Sequence, residues 1–265
     1  PPGYGTTMTG SVNTEGDAIL KADQLRALGL DGSGIRIGVI SDGANDRAEA
    51  QASGDLPANI SSYGTCATRE YDGSRCMLAT TCNEGTAMLE IIHDIAPAAE
   101  LAVASVNTSL EFIQRLDELV NVFGADIIVD DLGFFGESFY ADGPIAQAVA
   151  AVTDRVLYIS AAGNEALHHH ESNYAPTPLQ GHDVHDFARA ANQPSDGTLD
   201  VTIKPRSFVF AILQWNDEFG KSANDYDLVL LNPDETDLLC PTCGSFQWQH
   251  GTQDPIEAVC YNNDT

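Results

Sequence analysis

The chain has 265 residues and carries 39 acidic side chains against 12 basic ones, a formal net charge of −27, with lysine confined to Lys21, Lys204 and Lys221. Such a field repels polyanions and anionic bilayers, so it argues against nucleic acid or a membrane surface as partner. No apolar run reaches the ~18 residues of a spanning helix, and the length suits one large domain or one with a smaller companion.

Residues 1–16 are rich in Gly and Thr and read as an arm or loose tail; Pro1-Pro2, without an initiator Met, reads as a processed N-terminus. Ala18, Ile19, Leu20, Ala22, Leu25, Ala27 and Leu28 fall at helical spacing and Gly29 stops them, which predicts a helix over 17–29. Asp31-Gly-Ser-Gly34 then turns into Ile35-Arg-Ile-Gly-Val-Ile-Ser41, a run apolar enough for a buried parallel strand. Its carboxyl end delivers Asp42, and functional residues of open α/β sheets collect at such ends. Residues 43–83 are polar and cysteine-bearing and read as a long loop with a strand near 77–79. Asn83 is the expected N-cap of a helix from Glu84 to about His93.

Strands follow at 100–106, 125–129 (ending in Asp130-Asp131) and 156–160 (ending in Ala161-Ala-Gly-Asn164), separated by helices at 110–123 and 143–152. Strand and helix alternate at βαβ lengths, so the expected class is α/β, a parallel sheet with helices on both faces. After about residue 170 the texture becomes β-rich, with strands expected at 198–203, 207–215 and 225–231. The expected division is an α/β core over 1–180 and a β-rich insert over 181–265, sandwich-like or jelly-roll-like, that breaks off inside a domain.

The six cysteines form two clusters, Cys66, Cys76, Cys82 and Cys240, Cys243, Cys260. In an acidic, lysine-poor chain they read as disulfides of a secreted protein, with at least two bridges and one of them local to the first cluster. Sequons at Asn59, Asn107 and Asn263 matter only on a eukaryotic secretory route. His168, His169 and His170 with His182 and His185 are candidate transition-metal ligands. Asp217, Asn224, Asp225 and Asp227 offer oxygen ligands at the short spacing that suits Ca²⁺.

Four segments, in order, resemble the subtilisin-like serine proteases. Asp42 stands after a Gly-Ile-Arg-Ile-Gly-Val-Ile strand, where that family keeps its triad aspartate. Glu84-Gly-Thr86, followed by Ile95-Ala-Pro97-Ala-Ala-Glu-Leu101, resembles the His-Gly-Thr helix of the family. Leu132-Gly133 resembles the strand that binds the substrate backbone, and Ser160-Ala-Ala-Gly-Asn164 the segment that supplies the oxyanion-hole asparagine. Glutamate in place of the histidine is similar to the sedolisins, serine-carboxyl peptidases on the same fold. Their partner aspartate lies one helical turn after the glutamate, where this chain has Met88, so the partner role falls to Asp42. The Gly-Thr-Ser nucleophile segment of the family is absent, and Gly244-Ser245 lacks its following Ala-x-Pro helix.

The resemblance implies a subtilisin-like fold and a secreted serine-type endopeptidase of the serine-carboxyl type, or its N-terminal portion, acting on a peptide or protein substrate. Glu84 would be the base, Asp42 its partner, Asn164 the oxyanion donor, and Leu132-Gly133 the substrate edge. The nucleophile would come from a C-terminal continuation. A carboxylate becomes a competent base when a second carboxylate nearby raises its proton affinity. The rival expectation is a non-catalytic protein that keeps this fold for binding or self-assembly.

Overall fold

The computed structural model describes residues 12–66, 81–165, 167–188, 193–239 and 248–263. The architecture is mixed α/β around a five-stranded parallel sheet flanked by helices. The chain opens with α1 (Glu15–Leu20) and α2 (Ala22–Ala27), then enters β1 (Arg36–Ser41). Next come α3 (Arg47–Ser53), β2 (Ile60–Tyr63), α4 (Glu84–Ile95), β3 (Glu100–Ser105) and α5 (Ser109–Glu118). A π-helical turn at Leu119–Phe123 leads to β4 (Ile127–Asp130), α6 (Pro144–Ala150) and β5 (Leu157–Ser160). The strand order is β2-β3-β1-β4-β5, so β1 is central and β5 an edge.

The period of two along each strand divides the core between two faces. Ile37 and Val39 of β1 with Leu101 and Val103 of β3 pack with Ala50 of α3 and Leu89 of α4. Ile40, Ala102, Ala104 and Ile128 pack on the opposite face with Phe112 and Leu116 of α5, Leu119 of the π-helical turn, and Val149 of α6. Gly38 sits where a β-carbon would lie 3.0 Å from Leu119 Cδ1, so its missing side chain lets the π-helical turn close on β1. On β5 the coverage runs out: Leu157 and Ile159 are 59% and 49% exposed.

Two antiparallel pairs follow, β6 (Pro176–Leu179) with β7 (His182–His185), and β8 (Ser207–Gln214) with β9 (Ile256–Asn263). Trp215, just past β8, is buried and donates from Nε1 to Ser222 Oγ at 3.0 Å. Gln214 ties this pair back to the sheet region: its Nε2 donates to the carbonyls of Phe135 and Glu137, each at 2.9 Å.

Several local expectations are corrected. The helix over 17–29 is two short helices, because Lys21 takes a left-handed conformation (φ 58°) and breaks the ladder. Arg26 then forks onto Asp17 and also donates to the carbonyls of Asp94 and Ile95, fixing α2 to the C-terminus of α4. The loop expected over 43–83 contains α3 and β2; the polar faces of these short elements hide their periodicity. The strand expected near 77–79 lies outside the described residues. Residues 198–203 and 225–230 form no strand, since neither has a ladder partner among the described residues to satisfy its backbone; Leu231 makes an isolated bridge to Leu238.

Candidate active site at the carboxyl edge of the sheet

In a parallel sheet all carboxyl ends lie on one edge, so the residues after β1, β4 and β5 are brought together by topology. Asp42 follows β1, Asp131 to Gly133 follow β4, and Asn164 comes three positions beyond the pairing of Ala161 N–H with the Asp130 carbonyl (3.0 Å).

Close packing of glycines brings α4 to the same edge. Gly85 N–H donates to the Gly43 carbonyl at 2.9 Å, and a β-carbon on Gly85 would lie 2.6 Å from that oxygen and 3.1 Å from Ser41 Cβ. Gly43 is equally constrained: its β-carbon would sit 2.9 Å from Cβ of both Cys66 and Cys82. Those two cysteines form a disulfide, and the Cys82 carbonyl accepts from Asn45 N–H at 2.9 Å. The bridge therefore pins the segment after β2 and the start of α4 against the turn that carries Asp42.

Asp42 Oδ1 accepts the backbone N–H of Glu84 at 3.1 Å. The aspartate thus anchors the first turn of α4, where an acceptor with negative charge is favoured by the exposed N–H groups and the helix dipole. Asn83, expected to cap this helix, holds the cap position without a side-chain bond to the helix backbone. Its Oδ1 instead accepts from Asp46 N–H (2.8 Å) and from Thr86 Oγ1 (2.9 Å), bracing α3 against α4.

Asp131 completes the group. β1 and β4 pair with Ile40 opposite Asp130, so the next residues, Ser41 and Asp131, stand side by side on the α4 face. Ser41 Oγ donates to Asp131 Oδ2 at 3.3 Å, and Ser41 is fully buried. Asp131 Oδ1 is sealed from solvent with no hydrogen-bond partner among the described residues. Burial, reinforced by the charge of Glu84 and to a lesser degree of Asp42, pushes the Asp131 carboxyl up to about 6, against the opposing bond from Ser41. The neighbouring Asp130 points the other way and is structural: it accepts from Tyr158 Oη at 2.6 Å and Leu132 N–H at 3.2 Å. Burial and the Asp130 carboxylate raise the Tyr158 phenol above its ordinary value.

Of the residues expected from sequence, Asp42 meets Glu84 through the Glu84 backbone N–H, Leu132 and Gly133 follow Asp131 on the same edge, and Asn164 is exposed on the turn beyond β5. Leu132 is half-buried against the α5 side of the core, and Gly133 is open, with nothing within 4 Å of the position its β-carbon would take. Asp131 was missed as a member of the group. Its signal was present: it is the second carboxylate of a pair at a strand end, and strand alternation requires the two to face opposite ways.

Among the described residues, no group of three or more His, Cys, Asp or Glu is placed to hold a metal ion. Asp217 is engaged by its own loop: Oδ2 accepts the N–H of Asn224 and Ala223 and the hydroxyl of Ser222, and Oδ1 accepts from Asn224 Nδ2. These bonds hold its carboxyl down at about 2. No protein-family model matches the chain, and no curated protein matches it.

Proposed function

We propose that the chain is the subtilisin-like core of a secreted serine-carboxyl endopeptidase, or the N-terminal portion of one. The observation that carries the reading is the convergence of Asp42, Glu84 and Asp131 where β1, α4 and β4 meet at the carboxyl edge of the sheet. The strand order and the Asp42, Glu84, Leu132-Gly133, Asn164 sequence of segments support it.

In this reading Glu84 is the general base toward a serine hydroxyl on an extended peptide-binding edge. The serine oxygen forms its bond to the scissile carbonyl carbon while its proton passes to Glu84. The developing oxyanion takes a hydrogen bond from the Asn164 amide, an effect typically worth about 3 kcal/mol. The C–N bond then breaks and the amine leaves with the proton that Glu84 held. Asp131, protonated on the acid side of about 6, then adds no negative charge beside Glu84. Ser41 touches the cluster but is fully buried, so it is not the nucleophile.

The test is hydrolysis of an unfolded protein substrate against pH by the product of the complete reading frame and by its Glu84→Gln form. The expected result is cleavage on the acid side of neutrality and a loss of roughly 100-fold or more in Glu84→Gln. A folded product that binds an extended peptide without cutting it would leave the rival reading, a peptidase fold used for binding or assembly.

A further inference from the structure

A second constellation of reactive side chains stands on the β6–β7 hairpin and the segment leading into it, elements that supply none of the carboxylates above. Ser172 Oγ lies 2.7 Å from His185 Nε2 and 3.0 Å from His170 Nε2. His185 Nδ1 accepts the backbone N–H of Ala175 at 3.2 Å.

The bond from Ala175 fixes the proton of His185. A neutral imidazole carries one N–H. Because His185 Nδ1 is an acceptor, its proton sits on Nε2 and is donated to Ser172 Oγ. The hydroxyl's own proton can then be given to His170 Nε2, the other ring nitrogen within reach, when the His170 proton is on Nδ1. One imidazole thus accepts from the serine while the other donates to it. Burial, together with His170, lowers the proton affinity of His185 against a smaller opposing effect of Asp186, which favours the neutral tautomer this arrangement needs.

The rings are held by neighbours. Phe187 lies edge-on to both imidazoles, with centroids 5.1 Å from His170 and 4.7 Å from His185, and Tyr174 stacks on His185 at 5.9 Å. Ser172 and His170 face solvent, so a small molecule can reach the oxygen.

We propose that Ser172 is an activated nucleophile toward acyl esters with a good leaving group, with His170 as its general base. The separations lie in the range that defines a nucleophile–base pair. In the step, Ser172 Oγ bonds to the acyl carbon and its proton moves to His170 Nε2. The ester C–O bond breaks, and the departing oxygen takes that proton, leaving acyl-Ser172 and a free alcohol or phenol. Water repeats the sequence, with His170 again taking and returning a proton, and releases the carboxylic acid. The Phe187 and Tyr174 rings offer an apolar wall suited to an aryl ester.

The test uses the 265-residue protein and p-nitrophenyl acetate, with release of p-nitrophenol followed in time and acetyl groups located by peptide mass spectrometry. Ser172 is expected to acetylate roughly 100-fold faster than the exposed serines Ser61 and Ser62. His170→Gln, which keeps a hydrogen-bonding side chain but cannot take the proton, is expected to bring Ser172 down to the rate of those serines, with circular dichroism showing the fold retained. Acetylation of Ser172 no faster than Ser61 and Ser62, or acetyl found on an imidazole with Ser172 unlabelled, overturns the proposal. So does a His170→Gln protein that labels at the original rate. Should His170→Gln fail to fold, the comparison among serines in the unsubstituted protein decides alone.

Discussion

Asp42 Oδ1 accepts the backbone N–H of Glu84 at 3.1 Å, joining the end of the central strand to the start of α4 across 42 positions of sequence. Whatever chemistry the carboxylate also serves, it is part of the support of that helix. Asp42→Ala removes an acceptor from the first turn and is expected to cost about 1 kcal/mol. Asp42→Asn, which keeps an acceptor oxygen but not the charge, should recover part of it. Urea unfolding of the three proteins gives the order; equal midpoints for all three would remove the anchoring role.

The close approach of α4 to β1 predicts an unusually costly alanine. A β-carbon on Gly85 meets the Gly43 carbonyl at 2.6 Å, and that oxygen belongs to a turn pinned by the Cys66–Cys82 bridge. Gly85→Ala is expected to destabilise by roughly 1–3 kcal/mol, as overpacking of a fixed site does. Ala at Gly133, where nothing lies within 4 Å, is the matched comparison and should be nearly silent. Similar denaturation midpoints for the two would show that the turn yields.

Much of this was legible in the chain, for identifiable reasons. Ile37 to Ile40 and Leu101 to Ala104 are continuous runs without a polar side chain because a parallel strand is buried on both faces, and such runs announce themselves. The start of α4 at Glu84 was readable because a cap-type residue, Asn83, stands before it. By contrast, α3 and β2 are short and have only Ala50 fully buried between them, so neither a 3.6- nor a 2-residue apolar period survives in them. The break at Lys21 depends on a left-handed residue that carries no compositional mark. Strand alternation already sets Asp131 on the face opposite Asp130, but its place beside Ser41 depends on the register of β1 on β4, which no local window holds.

The disulfide between Cys66 and Cys82 closes 16 positions of chain, and Cys260 is also disulfide-bonded. In the chain-entropy account a loop of that length is worth about 3 kcal/mol, chiefly through the unfolded state. Replacing Cys66 and Cys82 together by Ser should therefore lower stability by about that much, with the loss read from urea unfolding under non-reducing conditions. A double replacement within a few tenths of a kcal/mol of the parent would mean that the neighbouring hydrogen bonds hold the Gly43 turn without it.

Asp131 predicts a stability that falls as pH rises. Its carboxyl is raised from 3.8 to about 6 in the fold, so the folded state holds the proton more tightly than the unfolded state. Below 3.8 both states are protonated and the contribution is fully present; it is lost as pH climbs through about 6, where the fold must bury a charge. The interval corresponds to about 3 kcal/mol. Asp131→Asn is expected to match the parent near pH 3 and to exceed it by up to that amount at pH 8. Parallel curves for the two proteins across this window would show that Asp131 does not hold the proton.

The coupling of Glu84 to Asp131 makes a sharper test, because it separates burial from charge. Burial is the larger cause of the raised Asp131 value and the Glu84 carboxylate the next. Glu84→Gln leaves the burial in place and removes the charge, so the Asp131 midpoint should move part of the way back toward 3.8 without reaching it. The fall in stability with rising pH should shrink accordingly. In an Asp131→Asn background the same Glu84→Gln change has no raised carboxyl to relieve, so its effect at pH 8 should be smaller than in the parent. The difference between the two backgrounds is the interaction energy of the pair, and contacting charged groups commonly show one of roughly 0.5–3 kcal/mol. Four proteins unfolded in urea at pH 4 and pH 8 close the cycle. Additive effects at pH 8 would place the two carboxylates too far apart to share a proton, and with them the general-base role of Glu84 beside a protonated Asp131 would fall.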